Sequence, residues 1–594
     1  MARSQRYFRR RWRCRSWLRG ANIALLPLAW GAQALGAPVE DPPTWSIPAP
    51  PGPTCRSAPS SASTHAVPAV AQLEAAGARV GSVELVLHDI FDLSNPLEDR
   101  WLFRLANRLH RSTRPEVIGR LLLFDEGEPF DASRLEESER LLRACAFLYD
   151  ASVEPVRYDT AANTVDVRVA TRDVWTSSGG ISVSRSGGEN ALRFEVEDTN
   201  LFGTGRELKL GVTDDVDRTS TFFRFRDSNL LGHRVAFETR YEDNSDGEHW
   251  SVDLERPFFS LDARWSAGLE ALEETRVDSR YRLGEIGDRF RHRMEGYDLW
   301  AGRSRGVRDG RVWRWLVGAS FRAHEFSPIL DDPLSADAST LPADRTLVYP
   351  WVGFSTLPDD FRESRDLDQI ARVEDLHLGW SFDGRLGWSS EALGADREAA
   401  IIEAGARLGR RFGDPTLLTW STRLGGRWSD EGAENMLLSS RLRLYRRVFG
   451  RHLLYIGLSG DVAEELDAEN QLLLGGDSGL RGYPLRYQSG TRRLLLTLEQ
   501  RLFTRWYPFR LAHVGAAVFV DIGRTWNDDE TTPLGPGGVG DADRGWLRDV
   551  GLGLRFASSR SGVGSVLHLD VAFPLDGDAS IDDVQFLVST KESF

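Results

Sequence analysis

Across residues 177–594 the chain strings together short segments in which apolar and charged side chains alternate one by one, with no helical spacing between them. Leu192, Phe194 and Val196 alternate with Arg193, Glu195 and Glu197. Val235, Phe237, Thr239 and Tyr241 alternate with Arg234, Glu238 and Arg240, and Leu567, Leu569, Val571 and Phe573 with His568 and Asp570. A period of two puts successive side chains on opposite faces of a strand. A soluble sandwich would turn the charged face outward and pair the apolar faces. In a closed antiparallel barrel the same pattern places lipid outside and a polar lumen inside. Beyond the N-terminus no stretch reaches the roughly 18 apolar residues of a membrane-spanning helix, which a strand-built membrane protein does not need.

Trp250, Trp265, Trp300, Trp315, Trp351 and Trp388, near segment ends, are expected in interfacial girdles. Asp198-Thr-Asn-Leu-Phe-Gly203 recurs as Asp227-Ser-Asn-Leu-Leu-Gly232, and Arg256-Pro-Phe-Phe-Ser-Leu-Asp262 makes a third short turn. Such turns belong to the periplasmic side, and Asn244-Ser-Asp-Gly247, 327–344 and 527–544 read as longer extracellular loops. Segment counting gives about twenty strands, fifteen of them before residue 481 and five after.

Two motifs stand out within this region. Leu480-Arg481-Gly482-Tyr483 lies in the Gly-rich run 475–484, and Phe519-Val-Asp521-Ile-Gly523 follows. In the second, pleating turns Val518, Val520 and Ile522 to lipid and Phe519, Asp521 and Gly523 to the lumen. A lumenal carboxylate needs a partner, and Arg481, on a segment flexible enough to fold back, can supply it. The pair resembles the outer-membrane assembly and translocation superfamily that includes BamA, TamA and the two-partner secretion transporters. The resemblance implies a loop tucked inside the barrel with its Arg on the F-x-D-x-G strand. It also implies sixteen strands, eleven of them before that loop, where segment counting along this chain gives about twenty.

Upstream, residues 1–37 have the basic, apolar and small-residue layout of a secretory signal peptide. The Pro/Ala/Ser-rich run 38–78 reads as an extended periplasmic linker. Residues 79–173 read as a compact α/β unit of order β-α-α-β-β: Val83, Leu85 and Leu87 on a strand, Leu102, Leu105, Ala106 and Leu109 at helical spacing, Asp131 capping a second helix with Leu135, Leu142 and Cys145, then strands around Val153 and Val167. This order looks like one POTRA domain, which in the family binds extended client chains along a sheet edge. Residues 174–594 form the barrel.

A net charge of −14 argues against nucleic acid. Cys14, Cys55 and Cys145 give neither a disulfide framework nor a metal spacing. Gly476-Asp-Ser478-Gly479 lacks the histidine context of a serine protease, and the glycines of 535–540 follow no strand leading into a helix. No catalytic, metal or cofactor site is expected, and the chain reads as a non-enzyme.

The first barrel strand, 179–188, is rich in Gly and Ser and pairs weakly. A lateral seam is therefore expected between Gly179, Gly180, Ser182 and Ser184 on one side and Phe586, Val588 and Phe594 on the other. An opened seam would offer an edge to an incoming strand. The expected role is assisting insertion, assembly or translocation of polypeptides at the outer membrane of a Gram-negative bacterium, without nucleotide hydrolysis and with the α/β unit in the periplasm. Its partners are outer-membrane lipid, extended client polypeptides and a periplasmic or lipoprotein accessory. The alternatives are a two-partner-type transporter for one dedicated client and a passive surface pore.

Overall fold

The computed structural model describes residues 67–594 except 283, 528–544, 563–565, 577–580 and 592–593. The signal peptide, the linker up to residue 66, the glycines of 535–540 and nearly all of loop 527–544 lie outside the described residues.

The α/β unit is a three-stranded sheet with Thr164–Asp173 in the middle, parallel to Arg79–His88 and antiparallel to Leu148–Asp159. Helices Trp101–Leu109, Pro115–Leu121 and Ala132–Arg143 separate the first two strands, one helix more than the sequence pattern suggests. The Asp131 carboxylate caps the last of them by accepting from the Ser133 amide at 3.0 Å. The unit also begins earlier than expected. Helix Val70–Ala75, placed in the linker by composition, sends Leu73 into a core with Ile118, Leu142, Val165 and Val167. One well-placed leucine outweighs the Pro/Ala surroundings, because burying it gains about 2 kcal/mol. Burial beside this core pushes the Cys145 thiol up to about 12.

Twenty antiparallel strands among the described residues close into one barrel, from Ser177–Ser186 to Gln585–Lys591. Fifteen precede the connection carrying Arg481 and five follow it. The sixteen strands implied by the family resemblance are therefore corrected to twenty. Between residues 309 and 464, Arg311–Ser327, Arg345–Pro358, Gly379–Ser389, Ala399–Phe412, Thr416–Ser429, Gly432–Phe449 and His452–Glu464 are each a separate strand of the barrel.

The outer wall carries the exposed apolar set, including Phe194, Val317, Val352 and Val518. Trp265, Trp315 and Trp388 are exposed as girdle residues would be, whereas Trp351 is buried and Trp300 packs beside it against Leu347, Tyr349 and Ile401. These two point inward because a twenty-strand lumen must be filled. Gly268 and Gly318 make room, since a Cβ there would lie 2.3 Å and 2.4 Å from the Trp300 and Trp351 rings. Asn244-Ser-Asp-Gly247 is a two-residue hairpin rather than a long loop, with Asn244 paired to Gly247.

The two repeated turns fold alike. Each Asn amide, Asn200 and Asn229, donates to the preceding Asp, and Phe202 and Leu231 take φ of 55° and 52°. Tyr507-Pro-Phe-Arg510 gives the same bend, with Phe509 at φ 53°.

Closure is uneven. Ser177–Ser186 makes ten in-register pairs with Glu189–Asp198, from Ser177↔Asp198 to Ser186↔Glu189, but among the described residues only Val588↔Arg185 links it to Gln585–Lys591.

Candidate functional site: a pinned loop and a plugged mouth

Connection 465–491 turns back into the lumen. Leu480 and Tyr483 are fully buried there with Leu474, Tyr487 and Leu547. Arg481 donates from Nε and Nη2 to Asp521 at 2.7 and 3.1 Å, and from Nη1 to Glu499 at 3.1 Å. Its guanidinium lies 3.3 Å from the centre of the Phe519 ring. Phe519, Asp521 and Gly523 share the inward face of Ala512–Trp526, and Val518 points outward. Bidentate pairing plus ring stacking is a geometry that suits Arg and not Lys. A charge taken this far from water is tolerated only when every partner is present.

The residues flanking Arg481 are fixed just as closely. The Gly482 amide donates to Asp549 at 3.0 Å, and the Tyr483 hydroxyl donates to the Arg548 carbonyl at 2.8 Å. A Cβ on Gly482 would sit 2.6 Å from that of Asp549 and 3.1 Å from the Pro574 nitrogen. Gly482→Ala is therefore expected to displace the loop and cost about 1–3 kcal/mol, read as a lower unfolding temperature of the purified barrel. An unchanged temperature would show that the loop does not need this close approach. Ser478, of the protease-like tetrad, accepts from the Gly475 amide at 2.7 Å and shapes the same turn.

The sequence did not reveal how far the charges extend. Glu499 also accepts from Arg501 at 2.9 Å, and Arg501 donates to Asp368 at 3.0 Å and to the Leu367 carbonyl at 2.6 Å. Arg555, fully buried, bonds Asp570. Inward parity of Glu499, Arg501, Arg555 and Asp570 in the last strands was the available signal.

Asp368 belongs to an element that sequence reasoning also missed. Connection 359–378 forms a hairpin, Phe361–Arg365 with Val373–His377, on the side of the barrel that carries the α/β unit. Its tip enters the barrel mouth. Leu367 and Ile370 pack with Leu417, Tyr445, Leu453, Phe503 and Phe594, and Tyr445 donates to Asp368 at 2.8 Å. The hairpin also holds the α/β unit: Arg143 reaches Asp375 at 2.7 Å, and Arg372 donates to the Leu148 carbonyl at 2.8 Å. A connection of this length with Leu367-x-x-Ile370 inside a polar run was its only trace in the sequence.

The expected seam residues separate into three groups. Gly179, Gly180, Ser182 and Ser184 pair inside the first hairpin with Val196, Glu195, Arg193 and Ala191. Phe586 is exposed on the outer wall and Val588 makes the one cross-seam pair. Phe594 is corrected. It lies outside the ladder, buries its ring 4.8 Å from that of Phe503, and donates its amide to the Asp368 carbonyl at 2.6 Å. Gly515 leaves the space, since a Cβ there would lie 2.6 Å from the Phe594 ring. Glu592, which interrupts the terminal alternation, lies outside the described residues.

No family model and no curated protein matches the chain. Among solved structures, BamA from Haemophilus ducreyi lacking POTRA domains 1–3 is 12% identical, with 86% of this chain and 85% of that one covered at a TM-score of 0.37. CdiB from Acinetobacter baumannii is 12% identical over 87% and 74% of the two chains, with a TM-score of 0.43. CdiB from Escherichia coli is 13% identical over 86% and 76%, with a TM-score of 0.42.

Proposed function

We propose that this chain is an outer-membrane barrel of the BamA/TamA type, with its α/β unit acting as a single POTRA domain in the periplasm. Its role is to assist insertion or assembly of polypeptides by opening sideways, without nucleotide hydrolysis and without enzymatic chemistry. The observation that carries this reading is that among the described residues Val588↔Arg185 is the single pair at the seam, set beside a lumen cross-braced by Arg481. Backbone groups of a strand edge that lack a ladder partner are a template for another chain. A client strand satisfies them, while the Arg481 network keeps the rest of the wall in register.

The lumen itself argues against the alternatives. Loop 465–491 occupies it from one end and the 361–377 hairpin from the other, so a passive pore would work against its own filling. A dedicated secretion transporter would have to expel the hairpin to pass its client. In the POTRA domain, Leu148–Asp159 is one sheet edge and contains Pro155, which lacks a donor and blunts that edge. Segment 127–129 already pairs with the start of Arg79–His88 at Arg79 and Val80, which leaves the part from Glu84 to His88 as the edge for extended clients.

The seam fixes the test. Arg185→Cys with Val588→Cys joins the two residues already paired across it, where antiparallel neighbours suit a disulfide. The oxidised protein is expected to lose complementation of a deletion strain and to regain it on reduction, with its heat-modifiable mobility unchanged. Full activity of the cross-linked form would exclude lateral opening and favour passage through the lumen.

A further inference from the structure

Among the described residues, helix Trp101–Leu109 leaves one face without a protein partner. Trp101, Leu105 and Leu109 form one row with Leu102 beside it, and Trp101 and Leu109 are 72% and 65% exposed. Only Phe103 on the opposite face is buried, its ring stacked 4.0 Å from that of Phe91. Arg104 and Arg108 flank the apolar row. Residues 98–114 hold five Arg (100, 104, 108, 111 and 114) against two acids, Glu98 and Asp99, in a chain of net charge −14.

The helix is held at the barrel rim on both sides of the seam. Ahead of it, Arg560 donates to Glu98 at 2.8 Å and to the Ile90 carbonyl at 2.7 Å. Behind it, Asn200 donates to Thr113 at 2.8 Å and the Arg114 amide donates to the Gly203 carbonyl at 3.0 Å. Arg560 also donates to the Arg510 carbonyl at 3.2 Å, on the neighbouring turn whose bent Phe509 is 78% exposed, and Asn200 and Gly203 flank the bent Phe202, which is 67% exposed. The apolar outer wall therefore continues through both turns onto the helix.

We infer that helix Trp101–Leu109 lies in the headgroup layer of an anionic phospholipid bilayer, across the foot of the seam, with Trp101, Leu102, Leu105 and Leu109 in the acyl boundary. An apolar face flanked by Arg, continuous with a lipid-facing wall, is the makeup of an interfacial helix, and Arg beside it adds attraction to acidic headgroups. The inference rests on the reading that the barrel sits in a membrane, and its test separates the two claims.

The full chain, with Cys14, Cys55 and Cys145 replaced by Ser, is reconstituted into vesicles of phosphatidylethanolamine and phosphatidylglycerol containing nitroxide-labelled lipid. An environment-sensitive dye is placed in turn at Leu105→Cys, at Val518→Cys on the outer wall and at Glu154→Cys on the α/β unit. The expected result is loss of fluorescence at 105 comparable to that at 518, with none at 154, and a smaller loss at 105 in phosphatidylcholine vesicles. Trp101→Cys repeats the measurement should the 105 label disturb folding, which heat-modifiable mobility reports. Quenching at 518 without quenching at 105 or 101 overturns the inference and leaves the barrel intact. Absence of quenching at 518 overturns the membrane reading itself. Equal quenching at 105 in both lipids overturns the role of charge. A dye at 105 shielded only on addition of an unfolded polypeptide assigns the face to a client instead.

Discussion

Arg481→Ala is expected to destabilise the barrel by about 3–5 kcal/mol, because it strands Asp521 and Glu499 as buried charges without their shared cation. The measurement is the temperature at which the folded, fast-migrating species converts to the unfolded one. Asp521→Ala should fall in the same range. The double change should cost less than the sum, since removing both partners removes the stranded charge. Some penalty persists even then, because Glu499 has lost its 3.1 Å contact and keeps only Arg501 and Arg555 close by. Arg481→Lys should fall between wild type and Ala: it restores charge without the fork or the stacking over Phe519. Strictly additive single effects would show that the loop is not held through this pair.

Replacing the hairpin tip 367–371 with glycines is expected to raise ion conductance across a planar bilayer several-fold while the barrel stays folded. The tip fills the mouth with Leu367 and Ile370 and satisfies Arg501 and Tyr445 through Asp368. A barrel of this strand number has a lumen that conducts when nothing fills it. Arg143→Ala should give a smaller rise, since it frees the hairpin from the α/β unit without removing the plug. Unchanged conductance in the tip variant would mean that the inward loop 465–491 alone seals the barrel.

The alternation of Leu192, Phe194 and Val196 against Arg193 and Glu195 was enough to read a closed barrel, because pleating is local and each strand declares its own two faces. Arg481 and Asp521 were legible as partners for a related reason: one is lumenal by parity, and the other sits in a glycine run able to reach it. What was hidden depends on distance in the chain. Nothing near Asp368 indicates Arg501, and nothing near Glu98 indicates Arg560. Composition misplaced Leu73, which lies in a Pro/Ala-rich neighbourhood yet belongs to the α/β core. Terminal position misplaced Phe594, where the ring and not the ladder decides the ending.

The amide of Phe594 reaches back to the carbonyl of Asp368, and Arg560 reaches Glu98 over 462 positions. Neither bond exists until the later partner, hundreds of residues on, has been made. Contacts this remote in sequence make folding slow, since chain entropy must be lost before they form. Until Gln585–Lys591 is in place, the sheet has two bare edges, a state prone to wrong pairing. Strand Gln585–Lys591 thus closes the ring, and Phe594 beyond it clasps the hairpin already waiting in the mouth. Time in the open state, and not the strength of any one contact once formed, sets how long those edges stay exposed to wrong partners.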